Sequence, residues 1–318
     1  MYNFRTDLAN ERRDIYKKAN KLEQEIPGIE AEEEQEGEAI KISRVKIVSE
    51  EGERALGKPI GNYITIDVKN LKVAQEEEIQ KAAEVVTKEL KPLIEKHIGM
   101  QDDILVVGLG NMQVTPDALG PKVVQEVEIT RHLLKYAPQY MEENTRPVSA
   151  VSPGVLGTTG IETLEIIKGI VDNINPKLLI VIDSLASKSI ERISSTIQLA
   201  DTGIVPGAGV GNKRSELSVN TLGIPVIAMG VPMVVEAATI AADSLNLFIE
   251  KTKAELEGKN EANELSKFIQ TIEDQDKYEL IKEILAPEDY NFIVTPKEID
   301  DLIENMSGVV ARGINMSV

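Results

Sequence analysis

The sequence predicts an α/β fold, a doubly wound and mostly parallel sheet with helices on both faces. The first observation is a set of apolar segments without period-2 alternation, such as Ile104–Leu109 and Lys177–Asp183. Such segments are typical of strands that helices cover on both faces. The second observation is that these segments alternate along the chain with stretches of helical periodicity, as parallel α/β sheets require. Peripheral N-terminal strands and C-terminal helices complete the predicted architecture.

Residue spacing justifies the elements in chain order. Asn62–Val68 alternates polar and apolar residues, as in a strand with one buried face. Gln75–Ile98 carries apolar residues at helical spacing, and Pro121 suits the first turn of a helix. The predicted strands are Ile40–Val48, Asn62–Val68, Ile104–Leu109, Val148–Val151, Lys177–Asp183 and Ile224–Met229. The predicted helices are Gln75–Ile98, Pro121–Tyr136, Gly160–Ile174, Met233–Phe248 and one that begins at the capping box Thr295–Glu298.

The first 38 residues are expected at the periphery of the fold. Glutamate dominates the segment Glu30–Glu38, and like-charge runs of this kind usually form solvated loops. We therefore predict a solvated loop here rather than a surface that binds a basic partner.

Composition excludes several classes of function. The 318 residues include no cysteine, which removes thiol nucleophiles, disulfides and thiolate metal sites. The net charge of −18 opposes binding to nucleic-acid phosphates. The N-terminus shows no signal peptide, and no apolar run approaches the roughly 20 residues of a membrane helix. We expect a soluble cytoplasmic protein with neither a nucleic acid nor a membrane as partner.

Two acids stand at the ends of predicted strands. The segment Val106–Pro121 begins as a buried strand, and Asp117 lies in the loop that follows it. Asp183 is the last residue of the strand Lys177–Asp183. The carboxyl ends of parallel strands share one edge of the sheet, so both acids belong to that edge. If they lie close together, the pKa of one rises, and the pair can share a proton and activate a water molecule. That chemistry hydrolyses peptides without cysteine, serine or metal.

Structural roles remain open for both acids. Asp117 would suit the first turn of a helix, where the dipole favours an acid, and Asp183 would suit a helix cap. In that case the chain would be an inert assembly protein. Asp201-Thr202-Gly203 matches a tripeptide of the pepsin-like enzymes, but those are β proteins, and a turn is favoured here.

Two glycine-rich loops, Gly108–Asn111 and Gly207–Arg214, indicate an alternative function, a nucleotide- or anion-binding regulatory module. Neither loop completes a known phosphate-binding pattern, so they are also candidates for binding substrate or an oxyanion. The candidate positions are Gly108, Gly110, Asn111, Thr158, Thr159, Gly207, Gly209 and Gly211. His97 and His132 lie in predicted helices, and we expect no metal and no cofactor.

Several long segments carry a resemblance to a known family. They are RTDLANE (5–11), RALGKPIGNYITID (54–67), VVGLGNMQVTPDALGP (106–121), SPGVLGTTGIETLE (152–165), LLIVIDSLAS (178–187) and TGIVPGAGVGNKRSE (202–216). With them the chain resembles the germination protease of spore-forming Firmicutes along essentially its whole length.

The resemblance implies an endopeptidase that degrades small acid-soluble spore proteins during germination. It implies an atypical aspartic-type peptidase with an α/β fold similar to that of hydrogenase maturation proteases. The two proposed catalytic aspartates of the family fall on Asp117 and Asp183. The resemblance further implies a homotetramer in the spore core.

The family is also made as an inactive precursor that loses an N-terminal propeptide. Its substrates are cut after an acid in a site that Thr6–Glu11 matches closely. We therefore expect self-cleavage between Asp7 and Leu8, which divides the chain into a propeptide, residues 1–7, and a single peptidase domain, residues 8–318.

Overall fold

The computed structural model describes residues 6–69, 71, 75–208, 214–255, 274–285 and 292–318, and its nine strands form one sheet. The strands are β1 (Ile29–Glu36), β2 (Ile40–Ile47), β3 (Gly61–Val68), β4 (Ile104–Gly108), β5 (Val148–Val151), β6 (Leu178–Ser187), β7 (Thr196–Ala200), β8 (Val226–Glu236) and β9 (Ile293–Val294). Across the sheet the order is β1-β2-β3-β7-β8-β6-β4-β5, and β9 pairs with the end of β8.

Helices of very different lengths connect and cover the strands. They are α1 (Ala9–Ala19), α2 (Glu50–Leu56), α3 (Glu76–Glu95), α4 (Leu119–Glu126), α5 (Arg131–Tyr136), α6 (Leu156–Thr159), α7 (Thr163–Ile174), α8 (Val219–Leu222), α9 (Ala237–Glu255), α10 (Asp274–Leu285) and α11 (Ile299–Asn315). None of the helices in the described residues is both long enough and apolar enough to cross a membrane.

The centre of the sheet is parallel. β5, β4, β6 and β8 run in one direction, and β7, β3, β2 and β1 continue the sheet in antiparallel pairs. The chain leaves β4 for β5 on one side and returns to β6 on the other. This reversal is a topological switch point, where open α/β sheets form their ligand sites. The predicted α/β fold is confirmed, and the N-terminal strands extend the same sheet.

Apolar residues of the central strands point alternately to the two faces. Ile104 and Val106 of β4 pack with α3, α4 and α11 on one face. Leu105 and Val107 pack with α7 on the other. The continuous apolar pattern that predicted buried strands thus reflects a core on each side of the sheet.

The strand that carries Asp183 is longer than its pattern indicated. β6 continues beyond Asp183 to Ser187, because it stays paired with β8 as far as the pair Ser187–Val235. The prediction that Asp183 closes the strand was therefore wrong, and the residue does not cap a helix. β8 likewise runs to Glu236, well past the predicted end at Met229.

The helix predicted over Pro121–Tyr136 is two helices, α4 and α5. Val127, with φ −71° and ψ 133°, leaves the helix in an extended conformation. The Thr130 N–H then donates to the carbonyl oxygen of Val148 on β5, at 3.1 Å. The single-helix prediction was wrong because this contact with a distant strand outweighs the helical period.

The acidic N-terminal run is a strand rather than a solvated loop over Ile29–Glu36. It pairs along its length with β2, and basic side chains on the sheet face its glutamates. Lys41 pairs with Glu33 at 2.8 Å, and Arg44 pairs with Glu34 at 2.8 Å. The loop prediction was wrong because these cross-strand partners reduce the repulsion among the glutamates.

Candidate active site

A tight loop after β4 positions the Asp117 carboxylate. Gly110 adopts φ +114°, and a Cβ atom there would lie 1.9 Å from the carbonyl oxygen of Asp117. The Asn111 N–H donates to that carbonyl at 3.0 Å and to the Asp117 Oδ2 at 2.9 Å. Only glycine fits this bend, and the bend brings Asp117 back onto the end of β4.

The neighbouring glycine, Gly108, serves the packing of α4 on the strand. A Cβ atom at Gly108 would lie 2.1 Å from the carbonyl oxygen of Gly120 in α4. Gly108 therefore permits close strand–helix packing, and the Asn111 N–H is already used by Asp117. Both observations disfavour the alternative of an anion-binding loop at this position.

Asp183 lies on the strand next to β4, with 6% of its surface exposed. Burial raises the pKa of Asp183 well above its usual range, and the charges of Asp117 and Asp7 raise it further. The Ser184 N–H, which donates to Oδ1 at 2.9 Å, opposes this shift. The Leu109 N–H donates to the carbonyl oxygen of Ile182 at 2.8 Å, so the loop that holds Asp117 lies beside Asp183. The raised pKa of Asp183 favours its protonated form.

Asp117 is the member of the pair that ionises more readily. Burial raises the pKa of Asp117 above its usual range, and the hydrogen bond from the Asn111 N–H offsets only part of this rise. The pKa of Asp183 is raised further. The environments of the two carboxyl groups thus differ, which is how paired acids come to act as acid and base. The arrangement can hold a proton on Asp183 while Asp117 carries a charge.

The predicted cleavage segment lies at the same edge of the sheet. The Asp7 N–H donates to the carbonyl oxygen of Ala186 at 2.9 Å, and the Ala186 N–H donates to Asp7 Oδ2 at 2.9 Å. The Asp7 carbonyl oxygen accepts a hydrogen bond from Gln198 Nε2 at 3.1 Å. Gln198 Oε1 in turn accepts from the Ala9 N–H at 2.7 Å. The Gln198 amide thus binds the backbone on both sides of Leu8, and Leu8 is fully buried.

Strand register places Gln198 and Asp183 on the same face of the sheet. Asp183 pairs with Gly230 of β8, and Gly230 pairs with Gln198 of β7. Residues in such a row share one face of the sheet, and Gly230 contributes no side chain between the two polar groups. Leu185 packs over Gly230 instead. A cavity of about 210 Å³ beside this row is lined by Asp7, Leu185, Gln198 and Gly230 among others.

The same cavity is lined by a lysine. Burial lowers the pKa of Lys58 to about 8, the Arg12 guanidinium lowers it as well, and Asp7 opposes the shift. The Lys58 ammonium lies 5.3 Å from the centre of the Tyr63 ring. A basic group therefore faces the acidic side chain that precedes the predicted cleavage bond.

Among the described residues, the remaining candidates have local roles. Thr158 and Thr159 are exposed, and their hydroxyls donate to the carbonyl oxygen of Val155. Gly207 lies in a turn with φ +71°. Gly209 and Gly211 lie outside the described residues.

Asp201 has a structural role, as the turn interpretation predicted. It lies in the turn after β7 and accepts hydrogen bonds from Asn62 and the Lys96 ammonium. Burial alone would raise the pKa of Asp201, but these partners hold it below its usual range.

Sequence reasoning did not select Gln198 or Lys58, which line the same cavity as Asp7. Gln198 is 7% exposed in the middle of β7, a strand that was not predicted. One signal was present, since an amide side chain stands inside the apolar segment Thr196–Ala200. Buried polar groups need partners, and here the partners belong to the N-terminal segment.

Replacing Asp183 with Asn is expected to stabilise the protein at neutral pH. When the pKa of a carboxyl group is higher in the folded than in the unfolded protein, the folded protein loses stability as pH rises. The loss runs from the unfolded pKa, about 3.9, to the folded pKa. The Asn variant stays neutral at every pH and escapes this loss. Thermal unfolding at pH 8 should show a higher Tm for Asp183→Asn than for the wild type, and the difference should vanish below pH 4.

Asp201→Asn is the matched control because its pKa shift has the opposite sign. The lowered pKa of Asp201 contributes stability above its unfolded pKa, so this variant should be less stable than the wild type at pH 8. If the Tm of the wild type and of both variants depended on pH in the same way, Asp183 would not have a raised pKa in the folded protein.

Comparison with known proteins places the chain. The family model described as germination protease matches residues 6–267 and 250–318. A germination protease of Caldanaerobacter subterraneus subsp. tengcongensis is 48% identical over 314 residues, with 99% of this chain and 94% of that protein covered. One of Clostridium perfringens is 47% identical over 318 residues (100% and 96%), and one of Priestia megaterium is 43% identical over 351 residues (100% and 94%).

Among solved structures, a [NiFe] hydrogenase maturation protease, HycI, from Thermococcus kodakarensis matches 44% of this chain and 79% of its own. The TM-score is 0.28, and 17% of the aligned residues are identical.

A chain with an α/β sheet whose relatives, matched over essentially its whole length, are proteases is a peptidase. More particularly, this chain belongs to the germination protease family.

Proposed function

We propose that this chain is an endopeptidase that degrades small acid-soluble spore proteins during germination. It acts in the spore core as a homotetramer, after it has cut its own Asp7–Leu8 bond and released residues 1–7. The observation that best supports this is the position of Asp7, whose charge raises the pKa of Asp183 and whose carbonyl oxygen accepts a hydrogen bond from Gln198. Asp117 and Asp183 are the catalytic pair.

The different environments of the two acids suggest their roles. Asp117, which ionises more readily, accepts a proton from a water molecule, and the water oxygen attacks the carbonyl carbon of Asp7. The proton of Asp183 and the amide of Gln198 stabilise the negative charge that develops on the carbonyl oxygen. The proton that Asp117 took from the water then passes to the Leu8 nitrogen as the C–N bond breaks. The products are a new carboxylate on Asp7 and a new amine on Leu8.

Mild acid should promote self-cleavage. Repulsion among Asp7, Asp117 and Asp183 disfavours three charges at one site, and the pair needs one proton to act. Because the pKa of Asp183 is raised, Asp183 holds this proton at pH values below its pKa and loses it at higher pH. The rate of self-cleavage should therefore rise as pH falls through the pKa of Asp183, until Asp117 also becomes protonated.

N-terminal sequencing of the full chain after mild acidification tests this proposal. The expected result is a mature chain that starts at Leu8. The same treatment of Asp183→Asn should leave the N-terminus unchanged, which excludes a contaminating protease. A processed wild-type chain that starts at any other residue would contradict the assignment of the bond.

A purified small acid-soluble spore protein tests the substrate. The processed wild-type chain should cut it after an acidic residue, in a site that resembles Thr6–Glu11, and Asp117→Asn and Asp183→Asn should not. Sedimentation of the same preparation should show four associated chains. Self-processing without any cleavage of the spore protein would overturn the substrate assignment alone.

A further inference from the structure

The side chain of Glu11 is held by groups from the body of the protein. Its carboxylate accepts hydrogen bonds from the N–H of Lys188 at 2.7 Å and the N–H of Ser189 at 3.1 Å. The guanidinium of Arg192 lies 3.4 Å from the same carboxylate. Glu11 is 7% exposed, so this carboxylate is almost completely enclosed by its partners.

These groups belong to the body of the sheet rather than to the N-terminal segment. Lys188 and Ser189 follow the end of β6. Arg192 is oriented by Asp67 of β3, whose Oδ1 accepts from the guanidinium at 2.8 Å and from the Thr196 hydroxyl at 2.6 Å. Two backbone N–H groups and one oriented guanidinium form a preorganised binding site for a carboxylate.

Solvent reaches this site from one side. Glu11, Asp67 and Arg192 line a groove of about 910 Å³, and the Arg192 side chain is 22% exposed. A carboxylate from another chain can therefore enter once Glu11 has left.

The segment that contains Glu11 is bound as one unit across the site. Glu11 is the fourth residue after the Asp7–Leu8 bond, and its carboxylate also accepts a hydrogen bond from the Thr6 hydroxyl. That hydroxyl accepts the N–H of Leu8 at 3.1 Å. The carboxylate site is thus in register with the bond that is proposed to break.

We propose that the N–H groups of Lys188 and Ser189 and the guanidinium of Arg192 form a specificity subsite for a substrate glutamate four residues after the scissile bond. In the precursor, the chain's own Glu11 occupies this subsite. The inference rests on the proposed cleavage between Asp7 and Leu8.

A regulatory consequence follows from which side of the bond leaves. Residues 1–7 depart after cleavage, but Leu8–Glu11 stays attached to the enzyme. The enzyme's own Glu11 then competes with the substrate glutamate for one subsite, at the high effective concentration of a tethered group. A substitution that weakens the binding of the enzyme's own Glu11 should therefore favour cleavage of a second chain. A substitution of Arg192 weakens the subsite itself and should slow that cleavage.

Two synthetic peptides and the processed full chain test the subsite. One peptide has the sequence of residues 1–16, and the other carries Glu11→Gln. The wild-type enzyme should cleave the first with kcat/KM about tenfold to a hundredfold higher, as expected for hydrogen bonds to a charged group. Arg192→Met should reduce this ratio towards one by slowing cleavage of the Glu peptide.

The enzyme variant Glu11→Gln supplies a change of opposite sign. It should cleave the Glu peptide several-fold faster than the wild type, because its own side chain competes less well. If the ion pair between Glu11 and Arg192 were only structural, both variants would cleave the Glu peptide more slowly than the wild type. Arg131→Met, which removes an ion pair with Asp103 elsewhere on the surface, is the control and should keep the wild-type ratio.

Two outcomes overturn the subsite while the proposed function stands. One is a wild-type enzyme that cleaves both peptides equally, which decides the matter even if Arg192→Met does not fold. The other is an active Arg192→Met enzyme that keeps the wild-type preference for glutamate. A wild-type chain that cuts neither itself nor either peptide overturns the proposed function and the subsite with it.

Discussion

Asn in place of Asp117 or Asp183 should lower kcat by a factor of about 10⁴ or more, both for self-cleavage and for cleavage of a spore protein. Neither amide can accept a proton from water or deliver one to the carbonyl oxygen, and the two acids act as a unit. The double variant should therefore be scarcely slower than either single one. Single-turnover rates of the folded variants, with N-terminal sequencing of the products, measure the effect.

The matched control is Asp201→Asn, which changes an acid in the turn after β7, at the opposite edge of the sheet from Asp183. Asp201 is bound by Asn62 and Lys96 rather than by the catalytic pair, so this variant should remain active. Full activity of both Asp117→Asn and Asp183→Asn would remove the pair from the mechanism. Loss in only one of them would leave a single acid–base group with some other electrophile.

Gly110→Ala is expected to destabilise the protein by about 4 kcal/mol or more, at the upper end of point-mutant effects. The alanine Cβ atom would lie 1.9 Å from the carbonyl oxygen of Asp117, at a φ of +114° that side chains disfavour. The loop must then open and move the Asp117 carboxylate. A displacement of about 1 Å costs about a hundredfold in rate, so any folded fraction should be nearly inactive.

Gly223→Ala separates steric overlap from backbone strain. Gly223 also has a positive φ, +73°, but no atom lies within 4 Å of its added Cβ. Its variant should lose only about 1–2 kcal/mol, the usual cost of the left-handed conformation, and should keep its activity. Urea unfolding and cleavage assays on both variants give the comparison, and equal losses would mean that Gly110 does not position Asp117 by close contact.

The central sheet was largely predictable because strands buried on both faces have a local signature. Val148–Val151 matches β5 to the residue, and Ile104–Leu109 exceeds β4 by one residue. Asp117 and Asp183 were selected from the same pattern, since each follows or closes an apolar run. The pattern did not reveal that β6 continues past Asp183, because pairing with β8 rather than residue type sustains that strand.

The antiparallel part of the sheet was harder to predict. β1 consists largely of glutamates, whose strand conformation depends on basic partners on neighbouring elements. β7 is only five residues long and carries Gln198 in its centre. Both strands are stabilised by contacts between residues that are far apart in the sequence. The contacts of Gln198 with the N-terminal segment are of the same kind.

By itself, the sequence determined the order of buried strands and helices, and with it the placing of Asp117 and Asp183 at one edge of a sheet. Side-chain periodicity and strand direction are local properties, so they can be read from neighbouring residues. Only the tertiary structure decided that the N-terminal segment lies against Gln198 and the Lys188 N–H, 191 and 177 positions away along the chain. Such contacts depend on how the whole chain folds back on itself, which local preference does not encode.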